Sequence, residues 1–216
     1  MDPVLDNLDL FWSGFRNSVG FMALAAVGSV ALGTVIAAFR VSPVAPLRFF
    51  GTAYVTVVRN CPLTIVLFFF AFGLPEIGIN RSFYTFALVA LVVYTAAFVC
   101  EALRSGINSV SAGQAEAARA IGLRFGQSMT EIVLPQAFRS AIPPLGSVLI
   151  AMCKNSAVVG VFGVSGHLMS VARQLNSGEG LPALPIYTGT AIGFLIITVP
   201  AGILLGRIER KVAIVR

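Results

Sequence analysis

Long stretches without a charged residue constrain the fold of this chain most strongly. No Asp, Glu, Lys or Arg interrupts residues 17–39. A helix of about 23 residues is roughly 34 Å long, which is enough to cross a bilayer. Hydrophobic residues make up 57% of the sequence and charged residues only 11%, a balance that is wrong for a soluble domain. The predicted fold class is therefore an all-α polytopic membrane protein.

Five membrane spans are predicted from such stretches. In chain order they are residues 17–39, 49–72, 82–100, a stretch that starts at residue 140, and residues 186–206. The fourth has only about 14 uncharged residues before Lys154, too few to cross alone. Pro143 and Pro144 are expected to kink its start. Residues 157–185 are predicted to form re-entrant or surface helices before the last span.

Lysines and arginines outside these spans are divided unequally between the two sides. One side is assigned Arg40, Arg48, Arg104, Arg119, Arg124, Arg139, Arg207, Arg210, Lys211 and Arg216, and the other Arg16, Arg81 and Arg173. Because cytoplasmic loops carry the excess of Lys and Arg, the N-terminus is predicted outside and the C-terminus in the cytoplasm. The predicted divisions are an extracytoplasmic segment, a transmembrane domain and a cytoplasmic basic tail, at residues 1–14, 15–206 and 207–216. This topology explains the net charge of +6 without a nucleic-acid partner.

The longest stretch too polar to lie in lipid is residues 111–139. Its pattern predicts two short helices joined by a turn. Ser111 stands three residues before a glutamine, the spacing of a capping box, and Gly122 suits the end of the first helix. The second helix is predicted to break at Pro135.

The same stretch resembles the EAA loop of the membrane subunits of ABC importers. The resemblance rests on the spacing of Glu116, Ala117, Ala118, Gly122, Ile132, Leu134 and Pro135. It implies an ABC importer type I, MetI-like permease fold with five transmembrane helices. In that family the loop forms cytoplasmic coupling helices that dock on an ATP-binding subunit. Leu123 and Phe125 are apolar residues in the turn between the helices, and they are the predicted docking anchors.

The residues from Glu101 to Ile107 also resemble that family's sequence just before the loop. Two further segments, Arg59-Asn60-x-Pro62-Leu63 and Lys154-Asn155-Ser156, resemble its polar amino-acid branch, which serves histidine, glutamate, glutamine and arginine. Within that branch the chain looks most like glutamate-uptake permeases of the bacterial cell membrane. The implied partners are a second permease, identical or homologous, two ATP-binding cassette subunits and an extracytoplasmic substrate-binding protein.

Charged residues inside the spans need a physical reason. Arg59 is predicted about 15 Å inside the second span, where an arginine costs roughly 2.5–3.5 kcal/mol. It is therefore either an anion-binding residue on the substrate pathway or part of a buried ion pair. Glu101 and Arg104 are spaced for an i,i+3 ion pair at a helix end. The predicted substrate pathway comprises Arg59, Asn60, Lys154, Asn155 and Ser156. Alternatively, Lys154 is an ordinary interface lysine whose side chain snorkels to the membrane surface.

Two intramembrane cations, Arg59 and Lys154, favour a substrate with one or two carboxylates. Glutamate or aspartate is thus the leading substrate, and glutamine, histidine, arginine and cystine are alternatives. The sequence has no phosphate-binding loop, no H-E-x-x-H motif and no evident nucleophile beside a base. An enzyme is therefore not predicted: a partner ATPase subunit would bind ATP and Mg, and the chain itself would hold no cofactor or metal. A membrane scaffold and a secondary transporter are the alternatives from other functional classes.

Overall fold

The computed structural model describes residues 2–212, which form helices joined by short connections. The α-helices are α1 (Asp2–Leu5), α2 (Leu8–Val41), α3 (Ala45–Asn60), α4 (Leu63–Phe68), α5 (Leu74–Glu76), α6 (Phe83–Asn108), α7 (Ala112–Ala120), α8 (Phe125–Gln127), α9 (Leu134–Val161), α10 (Leu168–Arg173) and α11 (Ala183–Val212). Wider π-helical turns occupy Phe69–Gly73, Ser128–Val133 and Gln174–Gly178.

Four of these helical segments are long and apolar enough to cross a membrane. They are α2, α6, the stretch Thr130–Val161 that contains α9, and Ala183–Lys211 within α11. A fifth span results if α3 and the segment Leu63–Glu76 are taken as one, although they are bent by 107°. The prediction of an all-α polytopic fold with five spans is thereby confirmed.

Glycines allow α2 and α6 to pack closely while running in the same direction. Gly28 faces Val92, and further along both helices Gly33 faces Val99. A Cβ atom on Gly33 would lie 2.6 Å from the Val99 side chain, so this approach requires a residue without a side chain. We call the end of the bundle at which α2 and α6 finish the loop end, and the opposite end the distal end.

The two remaining long helices complete an alternating arrangement. α9 runs opposite to α6, because Ala137 near its start lies against Gly106 near the end of α6. α11 begins at the distal end, where Gly189 contacts Val4 of α1, and it runs back to the loop end. α1 and α10 therefore lie at the distal end, whereas α7 and the last turns of α11 lie at the loop end.

The second predicted span is broken more sharply than the sequence suggested. The sequence predicts one span over residues 49–72, yet α3 ends at Asn60 and α4 starts at Leu63. Cys61 between them has extended backbone angles, the conformation that the following proline imposes by clashing with a helical neighbour. The chain therefore turns by 107° beside Arg59.

The fourth span starts earlier than predicted, and the predicted break at Pro135 is wrong. The π-helical turn Ser128–Val133 continues directly into α9, which then runs through Pro143 and Pro144 to Val161. Pro135 lies just after this π-helical turn, and a local π-helical adjustment allows a helix to continue past a proline. The second half of the polar stretch therefore forms the first turns of the fourth span.

The predicted domain boundaries at residues 14 and 206 fall inside α2 and α11. α2 begins at Leu8, nine residues before the first uncharged stretch, and Phe11 is already buried against the distal end of the bundle. The basic tail continues α11 as far as Val212, and residues 213–216 lie outside the described range. The assignment of residues 1–14 and 207–216 to opposite sides of a membrane remains a prediction.

His167 is buried at the distal end, in the connection between α9 and α10. Its side chain is only 2% exposed and meets the ring of Phe21 edge to face, with 5.9 Å between the ring centroids. Its Nδ1 accepts a hydrogen bond from the backbone N–H of Met169 over 3.4 Å. Burial away from water disfavours the charged imidazolium and lowers the pKa of His167 to about 4.

We expect the protein to be less stable at pH 5.5 than at pH 7.5 because of His167. The unfolded chain binds a proton near pH 6.5, whereas the folded chain binds it only near pH 4, so stability is lost as the pH falls between these values. At pH 5.5 this one histidine accounts for roughly 1 kcal/mol. Thermal unfolding midpoints of the detergent-solubilised protein at the two pH values measure the effect. His167→Asn keeps a capping acceptor without titrating, and an equally large pH effect in that variant would contradict the assignment.

Candidate functional site

The loop-end helix α7 terminates in a Schellman motif. Gly122 has a φ of +84°, which L side chains rarely adopt. The N–H of Gly122 donates to the carbonyl of Arg119 over 3.0 Å, and the N–H of Leu123 donates to the carbonyl of Ala118 over 3.1 Å. Both bonds satisfy carbonyls that the helix end would leave open, and the predicted stop at Gly122 is confirmed.

This cap decides which apolar side chain faces outward. Ile121, just before the glycine, is 78% exposed, whereas Leu123, just after it, is half-buried. Glu116 and Ala117 are exposed on the same helix, while Ala118 is buried. Leu123 folds back because the residue after a Schellman glycine packs on the preceding turn. Ile121 was therefore not among the predicted docking anchors, although its position before Gly122 was the available signal.

Two further predictions for this loop are not confirmed. Ser111 is the N-cap residue of α7, but in the part of the chain that the structure describes its side chain makes no capping hydrogen bond. The side chain of Phe125 lies outside the described part of the structure, so its role as a docking anchor stays a prediction.

The first turns of α9 and the π-helical turn before them have one buried face and one exposed face. Val133 and Ala137 are buried, whereas Leu134 and Pro135 are exposed and Ile132 is half-buried. The exposed members of this set lie at the loop end, as α7 does. Both halves of the polar stretch therefore present exposed residues at the loop end of the bundle.

Glu101 joins three helices at one carboxylate. It forms a salt bridge with Arg40 at the end of α2, and its second oxygen lies 3.4 Å from the Nη1 atom of Arg59 on α3. The side chains of Arg40 and Glu101 are 12% and 31% exposed, so water screens their attraction only in part. Within residues 2–212, this is the charge cluster that ties α2, α3 and α6 together.

The predicted ion pair between Glu101 and Arg104 is wrong. Among the described residues, no salt bridge joins Glu101 to Arg104, and the buried Nε atom of Arg104 has no hydrogen-bond partner. Spacing along one helix suggested the pair, but two arginines from neighbouring helices reach the carboxylate instead. Of these two arginines, Arg40 has the greater need of a counter-charge, because its side chain is 12% exposed and that of Arg59 is 44% exposed.

Arg59 lies closer to the loop end than the sequence suggested. It contacts α6 at Glu101, which is seven residues, or about 10 Å, from the end of that helix at Asn108. The Arg59 guanidinium also lies over the ring of Phe98, 5.6 Å from its centroid. Its side chain is still 44% exposed, so it retains donors for another anion. The neighbouring Asn60 donates to the carbonyl of Thr56 in its own helix.

The polar residues predicted on α9 point in different directions. Lys154 is exposed, and no described carboxylate lies within salt-bridge distance of it. Ser156 is fully buried and its hydroxyl donates to the carbonyl of Cys153 over 2.7 Å. Asn155 is half-buried and lines a cavity of about 150 Å³ between α6 and α9. The hydroxyl of Ser156 is therefore already hydrogen-bonded within its own helix, whereas Lys154 and Asn155 remain accessible.

The remaining titratable groups do not form a metal site in the described ranges. No group of three or more His, Cys, Asp or Glu residues stands close enough to hold a metal ion between residues 2 and 212. Cys61, Cys100 and Cys153 are separate free thiols.

Comparison with known proteins identifies the family. The sequence profile of the family described as "Binding-protein-dependent transport system inner membrane component" matches residues 29–214. The chain belongs to this family. The predicted membership is confirmed, and this inner membrane component is a multi-pass permease subunit of the ABC importer type.

Curated relatives of this inner membrane component cover nearly its whole length. It is 38% identical over 208 residues to the probable glutamine ABC transporter permease protein GlnM of Bacillus subtilis, covering 96% of this chain and 95% of the relative. It is 41% identical over 219 residues to the glutamate transport system permease protein GluC of Corynebacterium efficiens, covering 96% and 94%.

Solved structures show the same fold for this inner membrane component. A chain from the crystal structure of an amino acid ABC transporter with histidines superimposes with a TM-score of 0.91 at 31% identity, covering 96% of both chains. A chain of the inward-facing MetNI methionine ABC transporter gives a TM-score of 0.78 at 20% identity, covering 97% of this chain and 99% of that one. The predicted MetI-like architecture is confirmed.

Proposed function

We propose that this chain is the membrane permease subunit of an ATP-driven importer for glutamate or aspartate. The observation that carries the coupling role is the exposed Ile121 beside the left-handed Gly122 at the loop end. An apolar side chain held outward by a rigid cap suits a groove on a partner protein. Partner ATP-binding subunits would dock there, bind ATP and Mg, and drive alternating access.

The distribution of charge supports placing the loop end in the cytoplasm. The described Lys and Arg residues at that end are Arg40, Arg48, Arg104, Arg119, Arg124, Arg139, Arg207, Arg210 and Lys211. Only Arg16, Arg81 and Arg173 belong to the distal end of the described chain. The positive-inside rule then sets the N-terminus outside, where a substrate-binding protein would deliver the amino acid.

Lys154 supports a second permease in the assembly. An exposed lysine in a membrane-crossing helix is costly against lipid, so its face of α9 is expected to border water or another chain. A second permease, identical or homologous, would cover that face and enclose the substrate pathway. Arg59, Asn60, Lys154 and Asn155 remain the proposed pathway residues, whereas the hydroxyl of Ser156 is already used within its helix.

Charge favours an anionic substrate among those that the relatives suggest. Relatives named for glutamate and for glutamine are similarly identical to this chain. Arg40, Arg59 and Lys154 carry three positive charges, against one negative charge on Glu101. The excess attracts a carboxylate, so glutamate or aspartate leads, and glutamine is the second candidate because of its relative in Bacillus subtilis.

We expect ATP-dependent uptake of glutamate by proteoliposomes that contain the chain with its copurified cassette subunits. The substrate-binding protein and labelled glutamate, glutamine or arginine are added outside, with or without enclosed ATP. Uptake of glutamine instead of glutamate would support the importer function but contradict the proposed substrate. Uptake without ATP dependence, with all subunits shown to be present, would favour a secondary transporter, and no uptake would favour a scaffold.

A further inference from the structure

An open apolar groove lies at the distal end, between the first two helices and α11. It extends from Val4 of α1 to Ile196 of α11, and among the described residues that line it Asp9 is the only charged one. Its volume is about 860 Å³. An apolar cavity of about 150 Å³ holds a benzene molecule, so this groove has room for a long hydrocarbon chain.

The floor of the groove is packed by the chain itself. Gly189 and Gly193 have the spacing of small residues that bring membrane helices together. A Cβ on Gly189 would lie 2.9 Å from the side chain of Val4, and one on Gly193 would lie 2.6 Å from that of Leu168. Both glycines therefore serve contacts within this chain, and neither is left to receive a helix of another subunit.

Bulky apolar side chains form the rim of the groove. Leu8, Trp12, Ile192 and Ile196 line it, and each of them is at least 43% exposed. Membrane helices associate through small residues that let their backbones approach, and these side chains prevent such an approach. Flexible acyl chains, in contrast, fill the irregular space between them. α9, with its exposed Lys154, contributes no described residue to the groove, so the face proposed for the second permease is a different one.

Two charged side chains beside the groove lie at the level of lipid headgroups. Asp9, Trp12 and Arg16 are spaced i, i+3 and i+7, so they share one face of α2. Arg16 directly precedes the uncharged stretch 17–39, which places it at the distal boundary of the hydrocarbon core. Tryptophan is typical of this boundary, and Asp9 lies about 10 Å further out. Both charges are exposed, and neither forms a salt bridge between residues 2 and 212.

These two charges complement a zwitterionic headgroup. The guanidinium of Arg16 suits a phosphate, which it can contact through two N–H groups. The carboxylate of Asp9 accepts hydrogen bonds from a primary ammonium, whereas a trimethylammonium has no N–H to donate. In a phospholipid the phosphate is next to the acyl chains and the ammonium lies beyond it, which is the order of Arg16 and Asp9. An anionic headgroup without an ammonium would be repelled by Asp9.

We propose that the groove between α2 and α11 binds phosphatidylethanolamine. Its acyl chains lie along Phe15, Ile192 and Ile196, its phosphate contacts Arg16, and its ammonium contacts Asp9. The inference concerns a lipid-facing surface, and it depends neither on the transported substrate nor on the direction of transport.

Fluorescence of Trp12 tests this proposal, because it is the only tryptophan of the chain. The purified complex is placed in phosphatidylcholine bilayers with increasing fractions of phosphatidylethanolamine, phosphatidylcholine or phosphatidylglycerol that carry bromine, a quencher, on their acyl chains. The signal of the Trp12→Phe complex is subtracted, which removes any tryptophan of partner subunits. We expect brominated phosphatidylethanolamine to reach half-maximal quenching at about one third of the fraction that the other two lipids require, a preference that two partly exposed charge contacts can supply.

Substitutions of the two charges identify the contacts responsible. Asp9→Asn should abolish the preference, and Arg16→Gln should lower it, because the phosphate contact holds the ammonium beside Asp9. Asp2→Asn and Arg81→Gln are matched controls that change exposed charges of the distal end outside the groove, and they should keep the preference.

Three results would overturn the proposal. Equal quenching by the three lipids would mean that only ordinary bilayer lipid contacts Trp12. A preference that persists in Asp9→Asn would exclude the assigned headgroup contact. An absence of quenching by every lipid would mean that another protein chain covers the groove.

Discussion

Gly122→Asp is expected to abolish ATP-driven uptake while the complex still assembles. Gly122 has a φ of +84° and no atom within 4 Å of the place where a Cβ would stand, so the change does not clash with the bundle. It strains the backbone by about 1–2 kcal/mol and places a carboxylate beside Ile121, where the partner ATPase would dock. Burying an unpaired charge in that contact is far more costly than the strain. The readouts are uptake by proteoliposomes and the amount of cassette subunit that copurifies.

A matched substitution separates charge from backbone strain at this position. Gly122→Asn adds a side chain of the same size without a charge, and asparagine tolerates left-handed backbone angles better than most residues. We expect it to retain a substantial part of the uptake that Gly122→Asp loses. If Gly122→Asp transported at the wild-type rate in a complex of normal composition, the docking surface would have to be sought elsewhere.

Glu101→Ala is expected to destabilise the bundle by about 2–3 kcal/mol, less than the 3–5 kcal/mol of a fully buried pair because Glu101 is 31% exposed. The substitution leaves the mostly buried guanidinium of Arg40 without a counter-charge. It also releases Arg59, which is exposed enough to remain hydrated. A fall of roughly 5–10 °C in the thermal unfolding midpoint should result for a chain of this size.

Two control variants identify the contact responsible for this loss. Arg59→Met should cost under about 1 kcal/mol, because its side chain is largely hydrated. The double variant Arg40→Met with Glu101→Leu removes both members of the buried pair, and it should recover most of the stability that Glu101→Ala loses. An unfolding midpoint for Glu101→Ala equal to that of the wild type would show that the Arg40 pair contributes nothing to the bundle.

Local patterns were enough to predict the helices and the stop at Gly122. Uncharged stretches predicted the spans, since a helix needs about 20 mostly apolar residues to cross the hydrocarbon core of a bilayer. Gly122 was predicted because a left-handed helix end needs a residue without a Cβ. The start of the fourth span was missed because a proline in a sequence suggests a break, whereas here the π-helical turn before Pro135 lets the helix continue past it.

Contacts between distant residues could not be predicted in this way. Arg40 and Glu101 are 61 positions apart, and only the parallel packing of α2 and α6 makes them neighbours. Spacing within α6 suggested Arg104 instead. Similarly, the outward side chain at the loop is Ile121 rather than Leu123, because the fold of the cap turns one residue inward and the other outward.

The sequence by itself determined that this chain is a helical membrane protein with a polar loop ending at Gly122, since hydrophobic length and glycine geometry act within a few turns of one segment. Tertiary structure alone decided the partners of Glu101, the 107° turn beside Arg59 and the cavity between α6 and α9 that Asn155 lines. These features depend on how far apart and at what angle separate helices pack. That geometry is set by the small residues at their contacts, of which Gly33 and Gly106 are the clearest here.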